Sequence, residues 1–205
     1  MDQRTPPAPR LAPLPPETTP ALSDEFEAMS ARMGFIPNSV LIMQRNPELV
    51  RAFVQMAGAI WDPQGSVDLK LKRLISHVAS RAAGCRYCMA HTAHGAERLG
   101  VEQAKIDAVW DYQSSPLFSA AERAALDLAV AAGSAPNAVT DEMFLELRRH
   151  WSEEQVVEIV AVIAMFGFLN RWNDTFATPL EPAPLEFGAR HLTAQGWSAG
   201  KHIRA

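Results

Sequence analysis

Apolar residues recur at helical spacing along much of the chain. Between residues 67 and 83 they occupy positions 67, 71, 74, 75, 78, 79 and 82, a spacing close to 3.6 residues. No stretch alternates apolar and polar residues with a period of two over a convincing length. The pattern therefore predicts an all-α fold.

Start signals divide the first part of this pattern into separate helices. Short helices are predicted over residues 23–33 and 38–45, with Gly34 as a break between them. The sequence NPE at residues 46–48 is a strong start, because Asn is a good N-cap, Pro suits the first helical position and Glu suits the positive end of the helix dipole. A further helix is expected from there to about residue 61.

Two capping boxes begin later helices. Ser119 with Glu122, and Ser152 with Gln155, have the spacing at which each side chain bonds the backbone of the other residue. The helix predicted over 153–165 or beyond has apolar residues on nearly every side, so we expect it to be central and buried.

Prolines mark the two ends of the chain. Residues 1–20 hold seven prolines and few large apolar groups, a composition that buries too little surface to order itself. We expect an extended proline-rich arm over 1–22, which is either disordered or laid on a partner subunit. One helical domain is expected over 23–178. Residues 179–205 are expected to form a tail that packs on the surface or on a neighbouring subunit.

Composition and charge exclude several classes of partner. The 205 residues are 48% hydrophobic and 20% charged, with a net charge of −4 and a pI near 5.9. This composition predicts a soluble domain without the basic footprint of nucleic-acid or membrane-surface binding. The proline-rich start lacks the apolar core of a signal peptide, and the longest apolar run, 159–169, is too short to span a bilayer. We expect a cytoplasmic protein.

The chemistry is expected at the sequence GCRYCMAHTAH, residues 84–94, which holds the chain's two cysteines. In a C-x-x-C pair at a helix start, free N–H groups and the dipole favour thiolate, and the sulfurs can form and release a disulfide. His91 follows Cys88 by three residues, so it shares a helix face with Cys88 and can accept its proton. The motif predicts a redox dithiol that includes Cys85 and needs no cofactor.

A metal site at this motif is disfavoured by geometry. Cys85, Cys88, His91 and His94 would all lie on one helix, whose nine residues span roughly 13 Å. Four ligands so spread cannot close on one zinc ion, so we predict no metal here. A partial site with a remote histidine, or a pair of buried and inert cysteines, remains an alternative.

An internal echo relates two parts of the chain. Shifted by 85 residues, the sequence CRYC at 85–88 aligns with NRWN at 170–173, and an apolar helix precedes each. The echo predicts two pseudo-repeated helical hairpins of which only the first carries thiols; a chance match is the alternative.

Four short sequences resemble one known family. GCRYCMAHT at 84–92, MGFIPN at 33–38, NPEL at 46–49 and FLNRW at 168–172 are similar to the carboxymuconolactone decarboxylase and alkylhydroperoxidase D superfamily, in its peroxidase-related branch. The resemblance covers roughly residues 30–180. It implies an alkylhydroperoxidase D-like bundle of helices that assembles as a homo-oligomer: a trimer, hexamer or dimer. It also implies a dithiol that reduces a small hydroperoxide with electrons from a dithiol or disulfide protein.

The chain departs from the family's proton relay at two positions. That relay has a glutamate twelve residues before the first cysteine, where this chain has Arg73, and a histidine four residues after the second, where it has Thr92. His77, on the preceding helix, and Glu158, the echo's counterpart of Arg73, are candidate substitutes. Arg73 itself can stabilise a thiolate. Each of the three also has a purely structural interpretation.

The sequence thus predicts a thiol-dependent peroxidase or disulfide oxidoreductase. Cys88 is the expected attacking sulfur and Cys85 the resolving one, and the reverse order stays open. Tyr87 and Trp172 are expected to wall the substrate pocket. The alternative is a catalytically weak, redox-sensing oligomer, or one that binds a small molecule or metal on the same fold.

Overall fold

The computed structural model describes residues 9–203, and within this range the chain forms ten α-helices and no β-strand. The predicted all-α class is confirmed. The helices are α1 (Ser23–Met33), α2 (Asn38–Met43), α3 (Pro47–Ile60), α4 (Leu69–Ala82), α5 (Arg86–Arg98), α6 (Gln103–Asp107), α7 (Ala120–Gly133), α8 (Asp141–His150), α9 (Glu153–Phe176) and α10 (Pro182–His191). Single 3₁₀ turns occupy parts of the connections and both terminal segments.

Several helices begin at the caps that the sequence indicates. The side chain of Asn46 accepts a hydrogen bond of 3.2 Å from a backbone N–H in the first turn of α3. Both capping boxes form, Ser119 with Glu122 at α7 and Ser152 with Gln155 at α9. These bonds satisfy backbone donors that a helix start leaves without partners.

Helix α9 is the central element, and it covers the range predicted for it, 153–165 or beyond. It continues from Glu153 to Phe176 and packs against α3, α4, α5, α7 and α8. With a mean hydropathy of 1.4 over its most apolar window, α9 is also long and apolar enough to cross a membrane, a test that core helices pass as well. The apolar run at 159–169, predicted to be too short to span a bilayer, is only part of this longer apolar helix.

A buried ion pair joins α9 to the start of α4. The Lys72 ammonium is 1% exposed; it lies 2.6 Å from the Glu158 carboxylate and donates to the Ile60 carbonyl at 2.9 Å. Glu158 also accepts hydrogen bonds from the backbone and hydroxyl of Ser66, at 2.8 and 2.7 Å. Glu158 therefore anchors the segment before α4 to α9.

The described part of the N-terminal arm lies on the folded chain itself. The Arg10 backbone N–H donates to the carbonyl of Phe176 at 3.0 Å, and that of Leu14 donates to the carbonyl of Leu41 at 3.1 Å. Residues 1–8 of the predicted arm lie outside the described residues.

The C-terminal segment contains a helix that the sequence analysis did not predict. Helix α10 packs against α5, and the indole N–H of Trp197 donates to the Arg86 carbonyl at 3.0 Å. The Leu180 N–H bonds the His202 carbonyl at 2.8 Å. These contacts hold the segment over the start of α5, where both cysteines lie.

We expect Glu158→Gln to lower the free energy of unfolding by about 1–3 kcal/mol at pH 7, because it leaves the buried Lys72 without a counter-charge. Burial acts to raise the pKa of Glu158, but hydrogen bonds from Lys72 and Ser66 outweigh it and lower this pKa from 4.5 to about 2. The stabilisation is therefore complete above pH 4.5 and is lost as the pH falls toward 2.

Urea unfolding at pH 7 and pH 3 measures this contribution. Glu186→Gln, at an exposed position of α10, is the control and should leave stability unchanged within about 0.5 kcal/mol. A deficit in the Glu158 variant that is equally large at pH 3 and pH 7 would contradict the assignment.

Candidate active site

A tight turn between α4 and α5 places both cysteines inside the protein. Helix α4 ends at Ala82, and Gly84 has φ 74°, a conformation that favours glycine. Cys85 is then the N-cap of α5, and its Sγ accepts a 3.4 Å hydrogen bond from the Cys88 backbone N–H. The exposures of Cys85 and Cys88 are 0% and 2%, so the first turn of α5 buries both thiols.

Cys85 and Cys88 are not joined by a disulfide in this structure, and burial disfavours the thiolate of Cys88. Burial is the main cause that raises the pKa of the Cys88 thiol well above its ordinary value, and the neighbouring Cys85 adds to the rise. The Asn173 amide, which donates to Cys88 Sγ at 3.4 Å, acts in the opposite direction. Cys88 therefore does not rest as the thiolate that the motif suggested, and its reaction needs a base.

His91 is positioned by a glutamate that comes from the C-terminal segment. Its Nε2 lies 2.5 Å from Oε2 of Glu181, which is itself only 4% exposed. The imidazole also stacks on the Tyr87 ring, with 4.2 Å between centroids. Ring stacking and the hydrogen bond to Glu181 thus fix the orientation of His91.

Glu181 is held as an ionised acceptor. Its Oε1 accepts hydrogen bonds from the Tyr87 hydroxyl, at 2.8 Å, and from the Asn38 backbone N–H. Although burial acts to raise the pKa of Glu181, the adjacent His91 and the backbone N–H of Asn38 lower it below its ordinary value. A carboxylate can only accept hydrogen bonds, so His91 Nε2 carries the proton and Nδ1 is left as the acceptor.

Cys88 lies on the wall of a cavity of about 300 Å³, which we call the thiol cavity. The cavity lies between α1, α2, α3, α4, α5 and α9, and most of its surface is apolar. Cys85 is not part of this wall. The side chains that matter for the chemistry are those of Phe53, Trp61, Arg73, Tyr87, Cys88, His91, Phe166 and Asn173.

His77 lies apart from this cavity. Its Nδ1 is 3.0 Å from the Met89 carbonyl and 2.9 Å from the Thr92 hydroxyl, and its ring packs on Trp110. Burial is the main cause that lowers the pKa of His77 to about 3. His77 is therefore neutral and connects α4 to α5. None of its hydrogen bonds goes to a thiol, so this geometry does not support the relay role expected for it.

Two further expected residues are also placed elsewhere. Glu158 is engaged by Lys72 and Ser66, and the structure does not bring it to the cysteines. Trp172 packs between Phe168 and Phe176 and does not line the thiol cavity. Tyr87, by contrast, lies in the wall as expected.

Arg73 occupies the cavity wall at the position where the family has its glutamate. Its guanidinium lies 4.0 Å from the centre of the Trp61 ring. A glutamate acting at His91 is nevertheless present, because Glu181 reaches the site from the far end of the chain.

Sequence reasoning missed Glu181, Trp61 and the contact of Asn173 with sulfur. A signal existed for Asn173, because the echo aligns it with Cys88, and the two residues now prove to touch. Glu181 precedes Pro182, a helix-start pair, but nothing local links it to His91 ninety residues earlier. Trp61 carried no signal beyond its place at the end of α3.

Within residues 9–203 no group of three or more His, Cys, Asp or Glu side chains is placed to hold a metal ion. His91 Nε2 is engaged by Glu181.

We expect Glu181→Gln to slow the reaction of Cys88 with a small alkylating reagent at pH 7 by about 10²-fold, the lower end of what a positioned base contributes. A glutamine at position 181 either donates its amide N–H to His91 Nε2 or binds the Nε2 proton less well than a carboxylate does. In either case the proton shifts toward Nδ1, which then cannot accept the proton of Cys88. Mass spectrometry of the alkylated cysteine over time gives the rate. Glu186→Gln on the same helix should keep the wild-type rate, and a wild-type rate in Glu181→Gln would refute the role of this carboxylate.

Part of the chain matches a known protein family and a curated relative. Residues 47–131 match the model of the carboxymuconolactone decarboxylase family. The protein YnjA of Escherichia coli is 31% identical over 134 residues, which are 65% of this chain and 71% of YnjA.

Solved structures extend the similarity to most of the chain. A Cys-to-Ala variant of the debrominase Bmp8, in complex with 2,3,4-tribromopyrrole, is 38% identical, with a TM-score of 0.82 over 88% of this chain and 96% of that one. A peroxidase-related protein from Ralstonia eutropha with an alkylhydroperoxidase AhpD core is 24% identical and shares the fold, with a TM-score of 0.75 over 88% and 95% of the two chains. The chain therefore belongs to the carboxymuconolactone decarboxylase family, with an alkylhydroperoxidase D-like fold.

Proposed function

We propose that this protein is a dithiol oxidoreductase that reduces a small organic molecule bound in the thiol cavity. The observation that carries the proposal is the position of Cys88. Cys88 lies on the wall of an apolar cavity, and Cys85 adjoins it in the first turn of α5. The same wall includes His91, which an ionised glutamate holds. Two-electron reduction by thiols needs a nucleophile, a resolving thiol and a proton carrier.

Cys88 is the attacking sulfur and Cys85 the resolving one. Only Cys88 faces the cavity, whereas Cys85 lies behind it as the N-cap of α5. His91 Nδ1 takes the Cys88 proton, directly or through a water, and Glu181 stabilises the imidazolium that results. The Asn173 amide stabilises the thiolate as it forms.

The first candidate substrate is a hydroperoxide, as the sequence analysis expects. The Cys88 thiolate attacks the terminal oxygen, the O–O bond breaks, and the alkoxide takes a proton from His91 to leave as an alcohol. Cys85 then attacks the sulfenic sulfur of Cys88, water leaves, and the disulfide forms. An external dithiol returns both sulfurs to the reduced state by exchange.

Reductive debromination of an aromatic compound is a second candidate. It balances with the same two thiols: a C–Br bond is replaced by C–H, bromide leaves, and Cys85 and Cys88 become a disulfide. The similarity to the debrominase Bmp8 extends over most of both chains. The aromatic walls of the cavity, Phe53, Trp61, Phe166 and Tyr87, also suit a flat ring better than a simple alkyl hydroperoxide.

We expect the reduced protein to lose two thiols for each molecule of substrate and to form one disulfide that dithiothreitol reverses. Tribromopyrrole or cumene hydroperoxide is mixed with the reduced protein, and free thiols, bromide and alcohol are counted against time. Cys88→Ser should consume neither substrate. Cys85→Ser should stop after the first step, with Cys88 modified and no disulfide formed.

The two substrates decide between the candidates. Bromide release with two thiols lost identifies debromination, and alcohol release identifies peroxidase activity. If Cys88→Ser reacts as fast as the wild type, or if neither substrate oxidises the thiols at millimolar concentration, the proposed function is wrong.

A further inference from the structure

A second and smaller cavity of about 170 Å³ adjoins the thiol cavity. The two cavities share the wall residues Arg32, Met33, Trp61, Arg73 and His91. The smaller one is also lined by Arg98 and His94, and no Asp or Glu is part of its lining. We call it the basic cavity, because three guanidinium groups surround it.

None of the three arginines has an ion-pair partner in the part of the chain that the structure describes. Arg98 donates one hydrogen bond, to the Arg32 carbonyl at 3.1 Å, and no carboxylate approaches it. The carboxylate of Glu25, in the thiol cavity wall, is engaged by Arg51 at 3.5 Å. The charge of Glu97 acts to raise the pKa of His94, but Glu97 does not line the basic cavity.

Arg73 is the most unusual of the three. Its Nε is fully buried and has no hydrogen-bond partner among residues 9–203, and its guanidinium lies over Trp61 at 4.0 Å. The guanidinium also packs against Gly95, where an added Cβ would lie 3.2 Å from it. Burial, and secondarily the charge of Arg32, lower the pKa of Arg73 to about 10, so it remains a cation at pH 7.

A cation in such a place carries an energetic cost that a ligand can remove. Desolvating a charge without a partner is unfavourable, and the same low polarity strengthens its attraction to an incoming anion. The planar guanidinium is already stacked on Trp61, so it loses little freedom when it binds a carboxylate or similar group. Gly95 leaves the space that this orientation needs.

We propose that the basic cavity binds the negatively charged group of the substrate, and that Arg73 is its main contact. The substrate class is then a small aromatic molecule with one acidic group. Its ring lies in the thiol cavity beside Cys88, and its anionic group lies beside Arg73. This assignment rests on the proposed function for the identity of the bound molecule as substrate, but the anion site itself does not depend on thiol chemistry.

Binding is therefore tested without turnover. In a Cys88→Ser background, isothermal titration calorimetry compares 4-bromobenzoate with the uncharged 4-bromobenzamide, which has nearly the same shape. We expect the anion to bind about ten- to a hundredfold more tightly. Arg73→Gln should remove that preference while it changes the affinity for the amide less than about twofold. Arg73→Lys should retain part of the preference, because the charge remains but the stacked fork is lost.

Arg81→Gln is the matched control. Arg81 lies on the same helix, with its guanidinium 4.0 Å from the centre of the Trp110 ring, but it lines neither cavity. It should keep the full preference for the anion. Thermal unfolding checks that each variant folds, and 4-bromobenzoate should raise the Tm of the Arg81 variant but not that of Arg73→Gln.

Equal affinity for the two probes, an unchanged preference in Arg73→Gln, or no binding of either probe would each overturn the assignment. These outcomes are independent of the thiol experiments. A protein whose thiols fail to react can still prefer the anion, and a reactive protein that does not discriminate between the probes retains its proposed function but loses this site.

Discussion

The carboxylate of Glu181 links three parts of the molecule that are far apart in sequence. It accepts hydrogen bonds from the backbone of Asn38 at the start of α2, and from Tyr87 and His91 on α5. A buried charge is tolerated only where its lone pairs are satisfied, so these partners must be in place for the C-terminal segment to close over α5. The orientation of His91 depends on this carboxylate together with the Tyr87 ring.

Features with local causes could be predicted from the sequence, and those with distant causes could not. The caps at Asn46, Ser119 and Ser152 act within one helical turn, so their residue types are sufficient to place α3, α7 and α9. Helix α10 was taken for a tail because of its prolines, although Pro182 at the first helical turn is a normal start. Its role follows from contacts with α5 that no local pattern records.

The features of the candidate site also separate into those with local causes and those with distant causes. The thiols and His91 lie within seven residues and were identified directly from the motif. The contact of Glu181 with His91 could not be predicted, because only packing brings the C-terminal segment to α5. That no carboxylate among residues 9–203 pairs with Arg73 is likewise a property of its surroundings. Asn173, which the echo aligns with Cys88, donates its amide N–H to the Cys88 sulfur, a contact that the alignment alone did not predict.

The burial of Cys85 behind Cys88 has a kinetic consequence for the proposed chemistry. Once the disulfide has formed, the sulfur on the cavity wall is the one that a reductant meets. The molecule that restores the thiols must then occupy the space that the oxidised product has just left. The two half-reactions would alternate at one place, which corresponds to ping-pong kinetics, with each reactant competing against the other when it is in excess.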